Sequence, residues 1–293
     1  MRQFAEHYRE KGWTRTQFQF YLNDKYFYKD PKQGGRGASW WLLDEPMHRD
    51  DWLALRFFAQ MFKNAVSKPS LNPEPLRTAR RDAPLRGTLN PTFLFRADVS
   101  RPQWQRDWLD GLVDVMCVSR QFFLKNDRCM AMKLTPNPSG SGRAHGIAFW
   151  HYGTGNDIRA TNLTGEAWGV EVWLSGGDGF LPWNSLGGDS SFEKPTPTTI
   201  LYLGKRLGMD GPLASLRLKA FRRSQQDVEY LVLLSKKMGW DRVQTAAAVA
   251  PLLHLEARTQ ERFTDDAGRT VFENLTGEQV ARLRASVAAA LMK

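Results

Sequence analysis

Apolar positions recur along the chain at two spacings, and the two alternate. In residues 2–11, Phe4, Tyr8 and Lys11 fall at helical intervals, and Gly12 follows as a stop. FQFYL (18–22) is a short apolar and aromatic run that predicts a strand ending at Asn23-Asp24. A glycine-rich segment, QGGRGA, leads to WWLL (40–43), which reads as a second strand. Residues 47–66 return to helical spacing through Trp52, Leu55, Phe58, Met61 and Phe62.

The alternation continues. Residues 67–91 hold five prolines and read as loop. TFLFRADVS (92–100) predicts a third strand, 102–111 a short helix, and VDVMCVS (113–119) a fourth strand. RQFFLKNDRCMAMKL continues as helix, TPNPSGSGR (135–143) as loop, and GIAFWHYG (146–153) as a fifth strand. A helix over 163–175 precedes GFLPWNSL (179–186), the sixth strand. TILYLG (199–204) predicts one more short strand, 212–238 a long helix, and Thr276-Gly-Glu-Gln the start of a terminal helix. Strand followed by helix, six times over, with near-continuous apolar strands, is an α/β pattern with a parallel sheet. A doubly wound sheet and a (β/α)8 TIM-type barrel both fit. No GxGxxG follows the first strand, so a dinucleotide-binding sheet has no support.

Polar residues at the strand ends favour the barrel. They are Asn23-Asp24, Asp44-Glu45, Arg96 with Asp98, Ser119, His151-Tyr152 and Trp183-Asn184. A (β/α)8 barrel builds its site from such C-terminal strand ends. Six units of eight make the barrel incomplete, so the expectation is that two strands precede residue 1 and that WWLL is the fourth strand. Residues 1–240 are then the barrel domain and 241–293 a helical or irregular C-terminal extension. The chain has eleven tryptophans, and Trp40, Trp41, Trp150 and Trp183 fall beside the strand ends. Sugars stack apolar C–H faces on such rings, which makes carbohydrate the expected ligand.

Composition narrows the picture. The net charge of +10 is spread along the chain, with only short clusters such as Arg80-Arg81 and Arg222-Arg223. A nucleic-acid binder concentrates such charge, so nucleic acid is not expected as a partner. Cys117 and Cys129 form no CxxC, and the five histidines share no ligand spacing, so neither metal nor cofactor is expected. No apolar run reaches the roughly 18 residues of a membrane span. The N-terminus lacks a signal-peptide core, which predicts a cytoplasmic chain as written, or a secreted or periplasmic one if an upstream segment precedes Met1. A homo-oligomer is compatible with all of this.

Three segments together carry a family resemblance. LLDEP, WHYG followed by GFLPWNSL, and SLRLKAFRRSQQDVEYLVLL (215–234) resemble glycoside hydrolase family 123 over roughly residues 15–240. The last segment matches the pattern S-x-R-L-x-x-x-R-x-G-x-x-D-Y-E-Y-L at Ser215, Arg217, Leu218, Arg222, Asp227, Glu229, Tyr230 and Leu231. It departs at Ser224, where the pattern has Gly, and at Val228, where it has Tyr. The resemblance implies a β-N-acetylhexosaminidase with an Asp-Glu pair ending the fourth barrel strand. It also implies a substrate-assisted retaining mechanism on β-linked N-acetylgalactosamine. Glu45 is then the acid/base, and Asp44 holds the acetamido N–H and stabilises the oxazolinium charge. Two-carboxylate glycosidases need acids about 5 Å apart across the bond, which strand neighbours rarely supply; a substrate nucleophile removes that need.

The candidate substrate-binding residues are Asn23, Asp24, Trp41, Arg96, His151, Tyr152, Trp183 and Asn184. Asp24 and Asp98 are alternative nucleophiles if the mechanism is conventional. A strand end or a helix N-cap is the competing account of Asp44-Glu45. Two other readings stand beside the enzyme: a non-catalytic carbohydrate-binding remnant and a polyanion binder.

Overall fold

The structure is a computed structural model. It describes residues 1–13, 16–22, 40–66, 93–99, 102–119, 147–153, 161–182, 185–193, 199–253, 255, 257–260, 269–272 and 274–293. Two compact units divide the described chain: one within 1–118 and 126–149, the other within 119–125 and 150–293. The central feature is a sheet of five strands, β1 (Phe18–Tyr21), β2 (Phe93–Asp98), β3 (Val115–Ser119), β4 (Ala148–Gly153) and β5 (Gly179–Pro182), in the order β1-β2-β3-β4-β5. β1 pairs with β2, β2 with β3 and β4 with β5, each in parallel register. The protein is therefore α/β with a sequentially ordered parallel sheet, as expected for part of a barrel.

In the first unit, α1 (Arg2–Glu10) ends where Gly12 takes φ 64°, a left-handed stop that costs glycine little. Its Tyr8 ring lies 5.2 Å from Phe93 of β2. Helix α2 (Arg49–Val66) covers one face of the sheet. Phe62 stacks on Phe20 at 5.2 Å and meets Phe95 at 5.5 Å, and Phe20 pairs with Phe95 in the sheet register. Near the last turn of α2, buried Lys63 grips both carboxylate oxygens of Asp114 at 2.5 and 2.6 Å. Asp114 also accepts from Phe95 N–H at 2.7 Å and donates its own N–H to Phe95 O at 2.9 Å. A buried pair satisfied this fully is costly to break from one side. It ties α2 to the edge of the sheet where β3 begins, opposite the strand ends that carry the polar residues.

In the second unit, α3 (Asn162–Leu174) connects β4 to parallel β5 and packs along α4 (Leu216–Met238). Glycines allow the two helices to approach. A Cβ at Gly165 would lie 3.3 Å from Ala220, and one at Gly169 would collide with Ser224 Oγ. Helices α5 (Arg242–Val249) and α6 (Gly277–Met292) each start on a capping box, from Asp241 and Thr276. Buried Val249, Leu253, Leu275, Val280, Leu283 and Val287 share one apolar core with Trp168, Val170 and Leu231. Arg284 of α6 staples three helices. It grips Asp227 of α4 at 2.7 and 2.8 Å and reaches Glu166 of α3 at 2.9 Å. Two antiparallel hairpins complete the unit: β6 (Leu201–Leu203) with β7 (Pro212–Ala214), and β8 (Ala257–Gln260) with β9 (Arg269–Phe272).

Four expectations change. Residues 40–43 are not a strand but irregular backbone, so WWLL is not a barrel strand. The described parallel strands therefore number five rather than six. The short strand expected over 199–204 is present as 201–203 and pairs antiparallel with 212–214, whereas the helix expected from 212 starts at 216 because Ser215 caps it. The helix expected over 102–111 is one 3-10 turn, Pro102–Trp104, followed by further turns. The loops expected over 67–91 and 135–143 and the helix expected from 120 lie outside the described residues.

Candidate active site

Register decides which side chains share a face. Tyr21 pairs with Arg96, and Asp98 pairs with Cys117. Paired residues in a parallel sheet point to the same side, and residues two apart on one strand do too. Tyr21, Arg96, Asp98 and Cys117 therefore project from one face, at the C-terminal ends of β1, β2 and β3. The opposite face carries Phe20 and Phe95 beneath α2. One face of the sheet is thus apolar and covered by a helix, and the other carries a phenol, a guanidinium, a carboxylate and a thiol.

Asp44 and Glu45 belong to the irregular segment 40–48 that leads into α2. The loop is fixed at three points by buried Asp51, the third residue of α2. Its carboxylate accepts from Leu42 N–H at 2.9 Å, Met47 N–H at 3.2 Å and His48 N–H at 2.8 Å. The bond to His48 is the acidic half of a capping box. Glu45 N–H donates to Asp98 O at 3.1 Å, tying the loop to the end of β2. Asp44 is 3 % exposed, and Glu45 takes φ 67°. A non-glycine residue there is strained by about 1 kcal/mol or more, and such strain gathers at functional sites. The left-handed turn also breaks the strand alternation that would send neighbouring side chains to opposite faces.

The electrostatics are consistent with the grouping. Burial, then Asp98, then Asp44 and Glu45 push the Cys117 thiol up, while Arg96 acts against them. Burial pushes the Tyr21 hydroxyl up, and Asp98 and Asp44 add to it, so Tyr21 stays a neutral donor. With one hydrogen, the hydroxyl can donate to Asp44 or to Asp98 but not to both at once. Arg96 grips Asp98 in a fork, Nε to Oδ1 at 2.7 Å and Nη2 to Oδ2 at 2.6 Å, and lies 4.5 Å from the Tyr21 ring centre. Burial opposes the Arg96 cation, and the Asp98 partnership outweighs it, so its pKa is raised. For Asp98, burial raises the pKa and Arg96 lowers it, with a net rise, whereas the fork is that of a carboxylate with a guanidinium. The fork, with both Asp98 oxygens accepting from Arg96, holds Asp98 as a carboxylate.

Of the residues expected from sequence, Asp44, Glu45 and Arg96 are brought together. Trp41 is 40 % exposed, with its ring 6.4 Å from Phe58 of α2. His151 and Tyr152 belong to β4 in the second unit, both buried. Strand alternation points them to opposite faces, and His151 Nε2 packs at Gly177, where a Cβ would stand 3.2 Å away. Asn23, Asp24, Trp183 and Asn184 lie outside the described residues. Sequence reasoning missed Tyr21 and Asp51. The signal for Asp51 was legible as an acid at the third position of a helix; that for Tyr21 was not, because its partners lie far along the chain. In the segment 215–234, Ser215 Oγ accepts from Leu218 N–H at 3.3 Å and donates to Ile200 O at 2.7 Å, and Arg217 donates to Tyr202 Oη at 2.6 Å. The matching positions Ser215, Arg217, Leu218 and Asp227 thus hold α4 in place. Among the described residues no cluster of three or more His, Cys, Asp or Glu is arranged to hold a metal ion.

No family model and no curated protein matches the sequence. Among solved structures, the fold is similar to a family 123 glycoside hydrolase from Clostridium perfringens, studied for glycolipid glycan hydrolysis, with TM-score 0.56 and 14 % identity. The likeness covers 99 % of this chain and 44 % of that one, so the chain spans less than half the length of the enzyme it resembles. At that identity the likeness establishes a shared fold: this chain carries the α/β architecture found in a family 123 glycoside hydrolase.

Proposed function

We propose that the chain is a glycoside hydrolase acting on β-linked N-acetylhexosamine, with N-acetylgalactosamine favoured, by substrate-assisted retention. The observation that carries the reading is the Asp44-Glu45 pair, held by a left-handed Glu45 above the C-terminal ends of β1 and β2. Because 40–43 is not a strand, the acids follow β1. In this reading β1 takes the place of the fourth barrel strand, and β2 to β5 those of the fifth to eighth. Residues 1–240 are the barrel portion and 241–293 its extension.

The 2-acetamido oxygen attacks the anomeric carbon while Glu45 gives its proton to the departing glycosidic oxygen. The carbon–oxygen bond breaks and an oxazolinium ion forms. Asp44 accepts from the acetamido N–H and stabilises the developing positive charge. Glu45, now a carboxylate, takes a proton from water as that water attacks the anomeric carbon and restores the original configuration. Asp98 supports this choice: its carboxylate is occupied by Arg96 on both oxygens, which makes it a poor conventional nucleophile. Tyr152, Trp183 and Asn184 are the proposed sugar contacts, with His151, Asp24, Asn23, Arg96 and Trp41 of lower rank.

The test is hydrolysis of a chromogenic β-N-acetylgalactosaminide. Glu45→Gln should lower kcat by about 100-fold or more, the contribution of a positioned proton donor. Full activity in Glu45→Gln would remove Glu45 from its role. One observation favours a second reading: the described parallel strands number five, not eight. A carbohydrate-binding remnant would bind N-acetylgalactosamine without releasing an aglycone from any β-glycoside.

A further inference from the structure

The segment that carries the acid pair is closed by one buried side chain, Asp51, whose two oxygens serve different ends of it. Oδ2 accepts from Met47 N–H at 3.2 Å and from His48 N–H at 2.8 Å, at the entry to α2. Oδ1 accepts from Leu42 N–H at 2.9 Å, nine positions back along the chain. Residues 42–51 thus form a closed ring, and Asp44 and Glu45 lie within it. We infer that Asp51 is a positioning residue: through Leu42 it closes the ring that holds Glu45 in its left-handed turn, and so sets the aim of both acids.

Helix capping alone does not account for Asp51. The third residue of a helix can accept from the N-cap N–H, and the bond from His48 does that. The bond from Leu42 is additional, and it reaches back past the acid pair. Leu42 belongs to no helix or strand, so its half-buried N–H depends on such an acceptor. Hydrogen bonds to a carboxylate are stronger than neutral ones, so the ring closes on a strong contact. Within it, Leu43 and Asp44 are buried, and Glu45 N–H donates to Asp98 O at 3.1 Å. The acids are therefore held on one side at 42, on the other at 47 and 48, and from β2 in between. A strained turn persists only where its surroundings hold it, and Glu45 at φ 67° needs such a frame. The consequence for chemistry rests on the function proposed above. An acid that must meet a glycosidic oxygen at one angle loses rate when its loop shifts by about 1 Å.

Asp51→Asn separates the two ends of the ring. An amide has one acceptor oxygen, and two donors at the helix start outweigh one at Leu42, so the Leu42 bond is the one lost. In the full chain, amide exchange followed by NMR should show Leu42 protected in the wild type and at least about 10-fold less protected in Asp51→Asn, the loss of a hydrogen bond to a charged group. Turnover of the chromogenic glycoside should fall about 10- to 100-fold in kcat with KM within about threefold, the pattern of lost alignment rather than lost binding. The loss should be larger on a β-glycoside with a poor leaving group, which depends more on proton donation by Glu45, whereas a smaller folded fraction would lower both substrates equally. Asp50→Asn removes the same charge from the same helical turn and should match the wild type in every reading. If Asp51→Asn does not fold, Asp51→Glu replaces it: glutamate is the usual acid at that position of a capping box, and its longer side chain displaces the Leu42 bond. An unprotected Leu42 amide in the wild type overturns the ring. A folded variant with kcat within about twofold of the wild type, with equal losses on the two substrates, or with the same loss as Asp50→Asn overturns the positioning role. A wild-type chain that hydrolyses no glycoside refutes the function proposed above, while Leu42 exchange still decides whether the ring exists.

Discussion

A glutamate at φ 67° carries a cost that glycine would not, and the cost at Glu45 can be measured. Glu45→Ala and Glu45→Gly both remove the carboxylate and its interactions. Only alanine keeps a Cβ in the left-handed region. Glu45→Gly should therefore be more stable than Glu45→Ala by about 1 kcal/mol in denaturant unfolding, the steric cost of a Cβ there. Equal stabilities would mean that the backbone relaxes when the side chain is lost and that the strain is not built into the loop. The same residue shows what is legible in a sequence. Two acids ahead of a proline are visible in LLDEP, but their left-handed turn is not, because nothing in Asp44-Glu45-Pro46 demands φ above zero. The partners are also out of view. Tyr21 reaches the end of β2 through the register of β1 with β2, which pairs it with Arg96 far along the chain, and Glu45 reaches Asp98 through a backbone hydrogen bond from a segment outside both strands.

Among the elements, the helices that carry a start or stop signal of their own were read best: Thr276 forms a capping box and Gly12 ends α1. Short apolar runs were read less well. WWLL has the composition of a buried strand, but Asp51 draws the backbone of Leu42, Met47 and His48 around its carboxylate, and the segment takes loop geometry instead. The long helix expected from 212 hid a β7 strand that Pro212 and the Ser215 cap together mark off. The α3–α4 contact makes the packing of two helices depend on one glycine. A Cβ at Gly169 would collide with Ser224 Oγ and stand 2.9 Å from the Phe180 ring. Helix propensity favours alanine over glycine by about 1 kcal/mol, and overpacking costs about 1–3 kcal/mol. Gly169→Ala should thus destabilise the protein in the native background. In Ser224→Gly, which restores the residue of the family pattern, most of the collision is gone and the same change should be close to neutral. A double-mutant cycle should return a coupling of about 2 kcal/mol, within the range for residues in direct contact. Additive effects would show that the two helices separate freely.

For the molecule as a whole, the parallel order of the strands was legible and their number was not. Runs of four to six residues, such as β1 and β2, cannot be told from irregular apolar segments by pattern alone. Net charge, by contrast, is fully legible, and it bears on function at this scale. Forty-one basic and thirty-one acidic side chains give +10. If that charge forms no concentrated patch, it attracts polyanions diffusely and leaves a neutral sugar unaffected. A neutral glycoside is not steered by the protein's field, so kcat/KM on it should change less than about twofold between 50 and 500 mM salt, where surface charges become screened. Duplex DNA should be retained only at low salt and without sequence preference, because phosphate contacts release counterions and weaken steeply as salt rises. Filter binding and glycoside turnover over one salt series separate the two behaviours. DNA retention that persists at 500 mM salt, together with a salt-dependent glycosidase, would mean that the cations do form a patch and that the polyanion, not the sugar, is the ligand this charge serves.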